Sequence, residues 1–280
     1  MTPQAIDSID DPRVAEYRNV PDAERLRTRG VFVAEGRQVV RHLVTASRFR
    51  TRHVLVSPAA LESLRDVLES RADVPVYTMP VDRLAALVGF DIHRGCLAIG
   101  ERLPAAGLDA WLRDAAPSRL LVVGERVGNA DNMGALFRNA LAFGAGGVLL
   151  SPGCCDPLYR KSIRVSMGGA LRLPYAVDEH WPAGLRALKE AGFRVFGLTP
   201  LASARELEDA LASLVPDTSV ALTLGHEGHG LSDEAMRIAD DHVRIGMRTG
   251  VDSLNAATAA GIAFHACRRR LGWPANAADW

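Results

Sequence analysis

An α/β protein with a mostly parallel sheet is the fold class this sequence predicts, on three observations. Short apolar runs recur along the chain, stretches with helical spacing separate them, and polar glycine-bearing segments follow the later runs directly. Its 280 residues suit one large domain or two of ordinary size. At 48% hydrophobic and 24% charged, they can bury a substantial core.

In the first hundred residues, Val31-Phe32-Val33-Ala34 reads as a short buried strand. A helix over 36–46 follows, with Val39, Val40, Leu43 and Val44 at helical spacing. His53-Val54-Leu55-Val56 is a second strand. Pro58 then stands where a helix's first turn tolerates it, ahead of the stripe Leu61, Leu64, Val67 and Leu68. Val74-Pro75-Val76-Tyr77 and Cys96-Leu97-Ala98-Ile99 complete the strands of a small α/β domain over 1–103. Residues 104–118 read as a linker, with a short helix around Ala110–Arg113. In the larger domain, 119–280, the expected strands are Leu120–Val123, Val148–Leu150, Arg194–Leu198, Val220–Leu224 and His242–Met247. Sheets of this kind place ligands on loops beyond the carboxyl ends of their strands.

Charge and cysteine content narrow the function classes. The 33 basic and 33 acidic residues cancel, so a polyanion-binding surface has to come from local patterning. Arg supplies all the basic residues except Lys161 and Lys189, and its planar fork suits phosphate. Between Arg13 and Arg52 stand ten Arg against Glu16, Asp22, Glu24 and Glu35. That excess fits either a solvated face or a phosphate-tracking surface. Arg160, Lys161, Arg164 and Arg172 form a smaller cluster. No run approaches the 18 apolar residues of a membrane span, and the acidic first residues are unlike a signal peptide. Four cysteines without Cys-x-x-Cys spacing suit reduced thiols. A cytoplasmic location is the expectation.

Three strand-following loops carry the candidate chemistry. The first, Gly124–Gly134, leads into a helix from Ala135, with Arg138 one turn beyond its cap. Asn and Asp in such a loop are ordinary caps on the plain reading. The second is Gly225-His226-Glu227-Gly228-His229-Gly230-Leu231-Ser232. Its histidines are three apart among glycines, whereas a zinc helix needs them four apart on one face, so no metal is expected. The third, Arg248–Asn255, enters a helix over 256–270, with Asp252 or Ser253 as its cap and Asn255 one turn inside. Together the loops suggest one composite pocket. No dinucleotide fingerprint and no phosphate-loop Gly-Lys-Ser/Thr is present, which disfavours a Rossmann oxidoreductase.

In order and spacing, these loops resemble the SpoU (TrmH-like) RNA 2′-O-ribose methyltransferases of the SPOUT superfamily. The matching stretches are Asn129–Ala135 with Arg138, Leu224–Leu231, Ile245–Met247 and Val251–Asn255, with Ser166–Ala170 between them. Phe32-Val33-Ala34-Glu35-Gly36 looks like the opening of the RNA-binding domain that many members carry. Ala130 and Gly246 depart from the family's usual prolines, and His226 is not the commonest residue before the motif glutamate.

The resemblance implies a SPOUT-type parallel sheet with a C-terminal trefoil knot, preceded by a small RNA-binding domain. It also implies S-adenosylmethionine as cofactor, ribosomal or transfer RNA as substrate, and a homodimer. Carried over by motif, Arg138 serves the target ribose and phosphate, with Asn132, Glu227, Ser253 and Asn255 completing the catalytic group. Thr199, Leu224, Gly225, Ile245, Met247 and Leu254 are the residues expected to hold the cofactor. A catalytically inactive RNA-binding protein of the same fold is the competing expectation.

Overall fold

Buried apolar runs become strands and amphipathic stretches become helices in the computed structural model. It describes residues 2–18, 20, 23–90, 92, 95–104, 107–115, 118–215 and 218–271. In chain order the first elements are β1 (Gln4–Ala5), α1 (Ala23–Thr28), β2 (Val31–Glu35), α2 (Arg37–Thr45) and β3 (Thr51–Val56). Then come α3 (Pro58–Glu69), β4 (Val76–Thr78), α4 (Val81–Val88) and β5 (Cys96–Glu101). The chain continues through α5 (Leu108–Ala115), β6 (Leu120–Gly124), α6 (Ala130–Ala142), β7 (Gly147–Leu150), α7 (Arg160–Val165) and β8 (Tyr175–Val177). Next are α8 (Ala183–Glu190), β9 (Phe193–Leu198), β10 (Arg205–Glu206), α9 (Leu207–Ala212) and β11 (Ser219–Leu224). It closes with α10 (Asp233–Ile238), β12 (Asp241–Arg244) and α11 (Ala256–Leu271).

The chain divides into two compact units, Met1–Pro104 with Pro157–Arg172, and Ala105–Asp156 with Leu173–Trp280. Two departures from the expected organisation follow. Pro157–Arg172, assigned by sequence to the larger domain, packs with the first unit. Glu35 helps to hold it there, accepting from Arg160 and, at 3.3 Å, from Arg164. The Arg160 guanidinium also lies 4.0 Å from the centroid of the Phe90 ring. The expected linker, in turn, contains the packed helix α5, whose Trp111 and Ala115 are buried in the second unit's core. Its residues Ala105, Ala106, Ala116 and Pro117 lie outside the described residues.

The first unit has a five-stranded mixed sheet, ordered β1-β4-β3-β5-β2. Ser57 caps α3 by accepting from Ala60 N, with Pro58 in the first turn. His53, Tyr17 and Glu16 form a polar inclusion. The Tyr17 hydroxyl lies 2.9 Å from His53 Nδ1, and Glu16 Oε2 lies 2.9 Å from Nε2. Burial pulls the His53 pKa down more than the Glu16 carboxylate raises it, so the ring is neutral and donates through Nε2.

This unit also trims the arginine excess. Arg13 pairs with Asp11, Arg18 with Asp10, Arg41 with Asp66, and Arg52 with Glu16 and Glu101. Among the described residues, Arg27, Arg29 and Arg37 are exposed and have no acidic partner. Arg160, counted in the smaller cluster, is held by Glu35.

The second unit has the expected parallel sheet, seven strands ordered β10-β12-β9-β11-β6-β7-β8. β6, β9 and β11 are largely apolar on both faces because helices cover both, as parallel sheets require. β12 ends at Arg244, short of the expected Met247, which leaves Ile245–Met247 as loop. From β6 the chain steps outward through β7 and β8, then returns to β9 on the other side of β11. That reversal leaves the carboxyl ends of β6, β11, β9 and β12 side by side, the place where such sheets open a crevice.

Candidate active site

The first loop is shorter than its sequence suggests. α6 begins at Ala130 because the Asn129 side chain accepts from Asp131 N at 2.7 Å and Asn132 N at 3.3 Å. Asn132 and Gly134 are therefore helical. Arg138 is the ninth residue of α6, about 12 Å along its axis, and does not sit one turn beyond the cap. Asn132 is turned inward and is 8% exposed. Arg138 is exposed, and its side chain makes no hydrogen bond or ion pair among the described residues.

Three of the five expected catalytic residues meet. Asn132 Nδ2 donates to Glu227 Oε1 at 2.6 Å, and Asn255 Nδ2 donates to Asn132 Oδ1 at 2.9 Å. Asn255 is the cap of α11, not a residue inside it. Its Oδ1 accepts from Ala257 N at 3.0 Å and Thr258 N at 3.2 Å. Capping thus uses the Asn255 oxygen and frees its amide nitrogen to orient Asn132. Each amide has one possible orientation in this chain of bonds. Glu227 receives a charge-assisted bond on Oε1, while Oε2 has no partner among the described residues. Ser253 is exposed and bonded to none of the three, and no hydrogen bond links Arg138 to Asn132 or Glu227.

The expected cofactor residues lie at neighbouring strand ends. Thr199 follows β9 and donates from its backbone to Val243 O at 2.9 Å. Leu224 ends β11, and its carbonyl accepts from Glu125 N at 2.8 Å. Gly225 has no room for a side chain, since a Cβ there would stand 2.2 Å from the carbonyl carbon of Gly230. Ile245 and Met247 follow β12, and Leu254 precedes α11. Among the described residues, the peptide groups of Gly246, Met247 and Leu254 make no hydrogen bond, so exposed or half-exposed donors and acceptors are available there. Gly246, where the family pattern has proline, faces the Glu206 carboxylate. A Cβ would lie 3.0 Å from Glu206 Oε2, while Arg244 holds Oε1 of the same carboxylate at 2.6 Å.

Sequence reasoning missed two anchors. Glu125 is 2% exposed, and its carboxylate accepts from Trp181 Nε1 at 3.0 Å and Ser232 N at 2.9 Å. It ties the loop after β6 to the loop after β11. An acid placed directly after an apolar strand was the available signal. Ser151 and Cys154, after β7, brace the same loop: Arg126 N donates to Ser151 Oγ at 2.8 Å and Val127 N to Cys154 Sγ at 3.3 Å. Arg126 there takes the left-handed backbone at φ 51°, a conformation usually left to glycine. Among the described residues, no group of three or more His, Cys, Asp or Glu side chains is arranged to hold a metal ion. No helix among them is long and apolar enough to cross a membrane.

Against known proteins, a model described as the SpoU rRNA Methylase family matches residues 119–265. A protein of Mycobacterium bovis named as an uncharacterized tRNA/rRNA methyltransferase is 40% identical over 260 residues, or 91% of this chain and 88% of that one. A 23S rRNA (guanosine-2′-O-)-methyltransferase RlmB of Burkholderia is 31% identical over 73% of this chain and 81% of its own. The crystal structure of an AdoMet-bound rRNA methyltransferase from Sinorhizobium meliloti aligns with TM-score 0.78 and 25% identity, covering 96% of this chain and 98% of that one. The SpoU methyltransferase AviRb from Streptomyces viridochromogenes shares the fold, with TM-score 0.77 at 21% identity over 93% of this chain and 98% of that one. The match at 119–265 spans more than half of the chain, and a 40% identical relative extends over nearly all of it, so the chain belongs to the SpoU rRNA methylase family.

Proposed function

We propose that this protein transfers a methyl group from S-adenosylmethionine to a ribose 2′-oxygen of structured RNA, with ribosomal RNA as the first substrate to test. This reading rests on the Asn255–Asn132–Glu227 chain of bonds at the carboxyl ends of the sheet, with the unpaired Arg138 on the same helix as Asn132. The 31% identical relative named as a guanosine-2′-O methyltransferase supports the position of transfer.

The donor set suits the cofactor. Free peptide groups at Gly246, Met247 and Leu254 can meet the edge of an adenine, and the backbone at Thr199, Leu224, Gly225 and Ile245 can flank its ribose. When bound, S-adenosylmethionine supplies a methyl already activated by its sulfonium. What remains for the protein is to place the hydroxyl and to stabilise the charge that develops on its oxygen. Guanidinium stays protonated, so Arg138 acts as a cation, toward the developing alkoxide and the adjoining phosphate, and not as a base. Glu227, fixed through Oε1 by Asn132, offers Oε2 to the ribose hydroxyl. Ser253 and Asn255 complete the surround. The first unit, with Arg27, Arg29 and Arg37 unpaired, is the proposed RNA-binding domain. The C-terminal trefoil knot, the homodimer and the cytoplasmic location belong to the same reading.

The test is nucleoside mass spectrometry of RNA incubated with the protein and S-adenosylmethionine. A 2′-O-methyl nucleoside is expected. Arg138→Ala should lower the rate roughly 100-fold or more with cofactor affinity nearly unchanged. A base-methylated product, or an equal fall in cofactor binding in Arg138→Ala, overturns the assignment.

A further inference from the structure

We propose that His226 is a positioning residue for Glu227, acting as a neutral imidazole whose Nδ1 is the acceptor that shapes the catalytic loop. The inference rests on the proposed methyl transfer for its kinetic consequence, though not for its geometry. The loop after β11 closes on itself: His226 N donates to Gly230 O at 3.1 Å, and Gly230 N donates to His226 O at 2.8 Å. Glu227, Gly228 and His229 form the tip. Gly230 takes φ +67°, and Gly225 packs against its backbone, so the ends of the loop are tightly set.

The tip is held from inside by one ring nitrogen. Gly228 N lies 2.9 Å and His229 N 3.3 Å from His226 Nδ1. Both are backbone donors, so Nδ1 carries no proton and the ring's hydrogen is on Nε2. His229 Nδ1, 3.3 Å from the same atom, is then also a donor. An Asn or Asp oxygen bonded to the amides two and three residues on makes the same kind of turn. Glu227 is thereby fixed twice, its backbone by this turn and its carboxylate by Asn132.

An imidazolium cannot accept these bonds, so protonating His226 opens the turn beneath Glu227. Glu227 and His229 share the loop with His226, and Glu125 reaches the loop by accepting from Ser232 N at 2.9 Å.

The experiment has two readouts on the full chain. With uniform ¹⁵N labelling, and the His226 ring signals assigned from their disappearance in His226→Asn, the ring should be the Nε2–H tautomer at pH 8. On acidification, the Gly228 and His229 amide resonances should move together with the ring. An Nδ1–H tautomer, or amides that ignore the titration, overturns the proposal. In the methylation assay, His226→Asn should stay within about 3-fold of wild type. His226→Ala should fall about 10-fold in kcat, with KM for S-adenosylmethionine little changed, as expected for removing one to two net hydrogen bonds. Equal rates for His226→Ala and wild type, or equal falls in both variants, also overturn it. Should the NMR result hold while wild type methylates no RNA at any pH, the functional reading fails and the loop assignment stands.

Discussion

Replacing Asn132 by Asp changes one group, the amide nitrogen that donates to Glu227. Asn255 can still donate to the retained oxygen at 2.9 Å, so the cap of α11 survives. The 2.6 Å hydrogen bond is replaced by two facing carboxylates. Removing a hydrogen bond to a charged group costs about 1.5–3 kcal/mol. Like-charge repulsion at short range adds up to about 5 kcal/mol at an effective dielectric of 20. Solvent screening and movement of the exposed Glu227 side chain cut that second contribution sharply. A net destabilisation of about 3 kcal/mol at pH 8 follows, which in a unit of this size lowers Tm by roughly 6–12 °C. The new pair binds a proton more tightly when folded than when unfolded, so the deficit shrinks as pH falls. Thermal melting by circular dichroism at pH 8 and pH 5.5 measures both effects. Adding Glu227→Gln to Asn132→Asp turns the donor round and should recover most of that stability. Wild-type melting of Asn132→Asp at pH 8, or a double variant no better than the single, would refute the role of this bond.

Further outcomes follow from the same structure. Gly225→Ala sets a Cβ 2.2–2.4 Å from the backbone of Gly230 and Leu231, so it should cost about 1–3 kcal/mol and disturb the loop, measured by denaturant melting. Burial holds the His53 pKa below its usual value, so the stability from its neutral form is present above the ordinary value of about 6.5 and declines as pH falls through it. His53→Gln should therefore flatten part of the Tm decline between pH 7.5 and 5.5; an unchanged decline would assign it elsewhere, His42 being shifted down by burial too. Replacing Arg27, Arg29 and Arg37 with Ser should flatten the log-affinity slope for RNA against log salt by about 0.7–0.9 for each phosphate no longer neutralised, and an unchanged slope would make them an ordinary solvated face.

How far the fold could be read from sequence follows burial. β2, β6 and β11 are apolar and buried along most of their length, so periodicity alone located them. β1 and β10 are two residues long and at least half-exposed, and β8 is three residues with a single buried one, so no apolar run marks them. The start of α6 was ambiguous because Asn129, Asp131 and Asn132 can all cap. Only the bonds to Asn129 Oδ1 decide among them. That Pro157–Arg172 packs with the first unit depends on Glu35 and Arg160, 125 residues apart, and nothing local signals such a pair. Within the candidate site, the motif resemblance singled out Asn132, Glu227 and Asn255, and an acid directly after an apolar strand marked Glu125, whereas the direction of their bonds and the turn held by His226 emerge only from geometry.

Ribose 2′-O transfer is tested most sharply by mapping 2′-O-methyl sites in RNA from a strain that lacks this gene. One site should be absent from that map, wild-type protein should restore it, and Arg138→Ala should not. An unchanged 2′-O-methyl map, or a change confined to base methylation, would contradict ribose transfer by this protein.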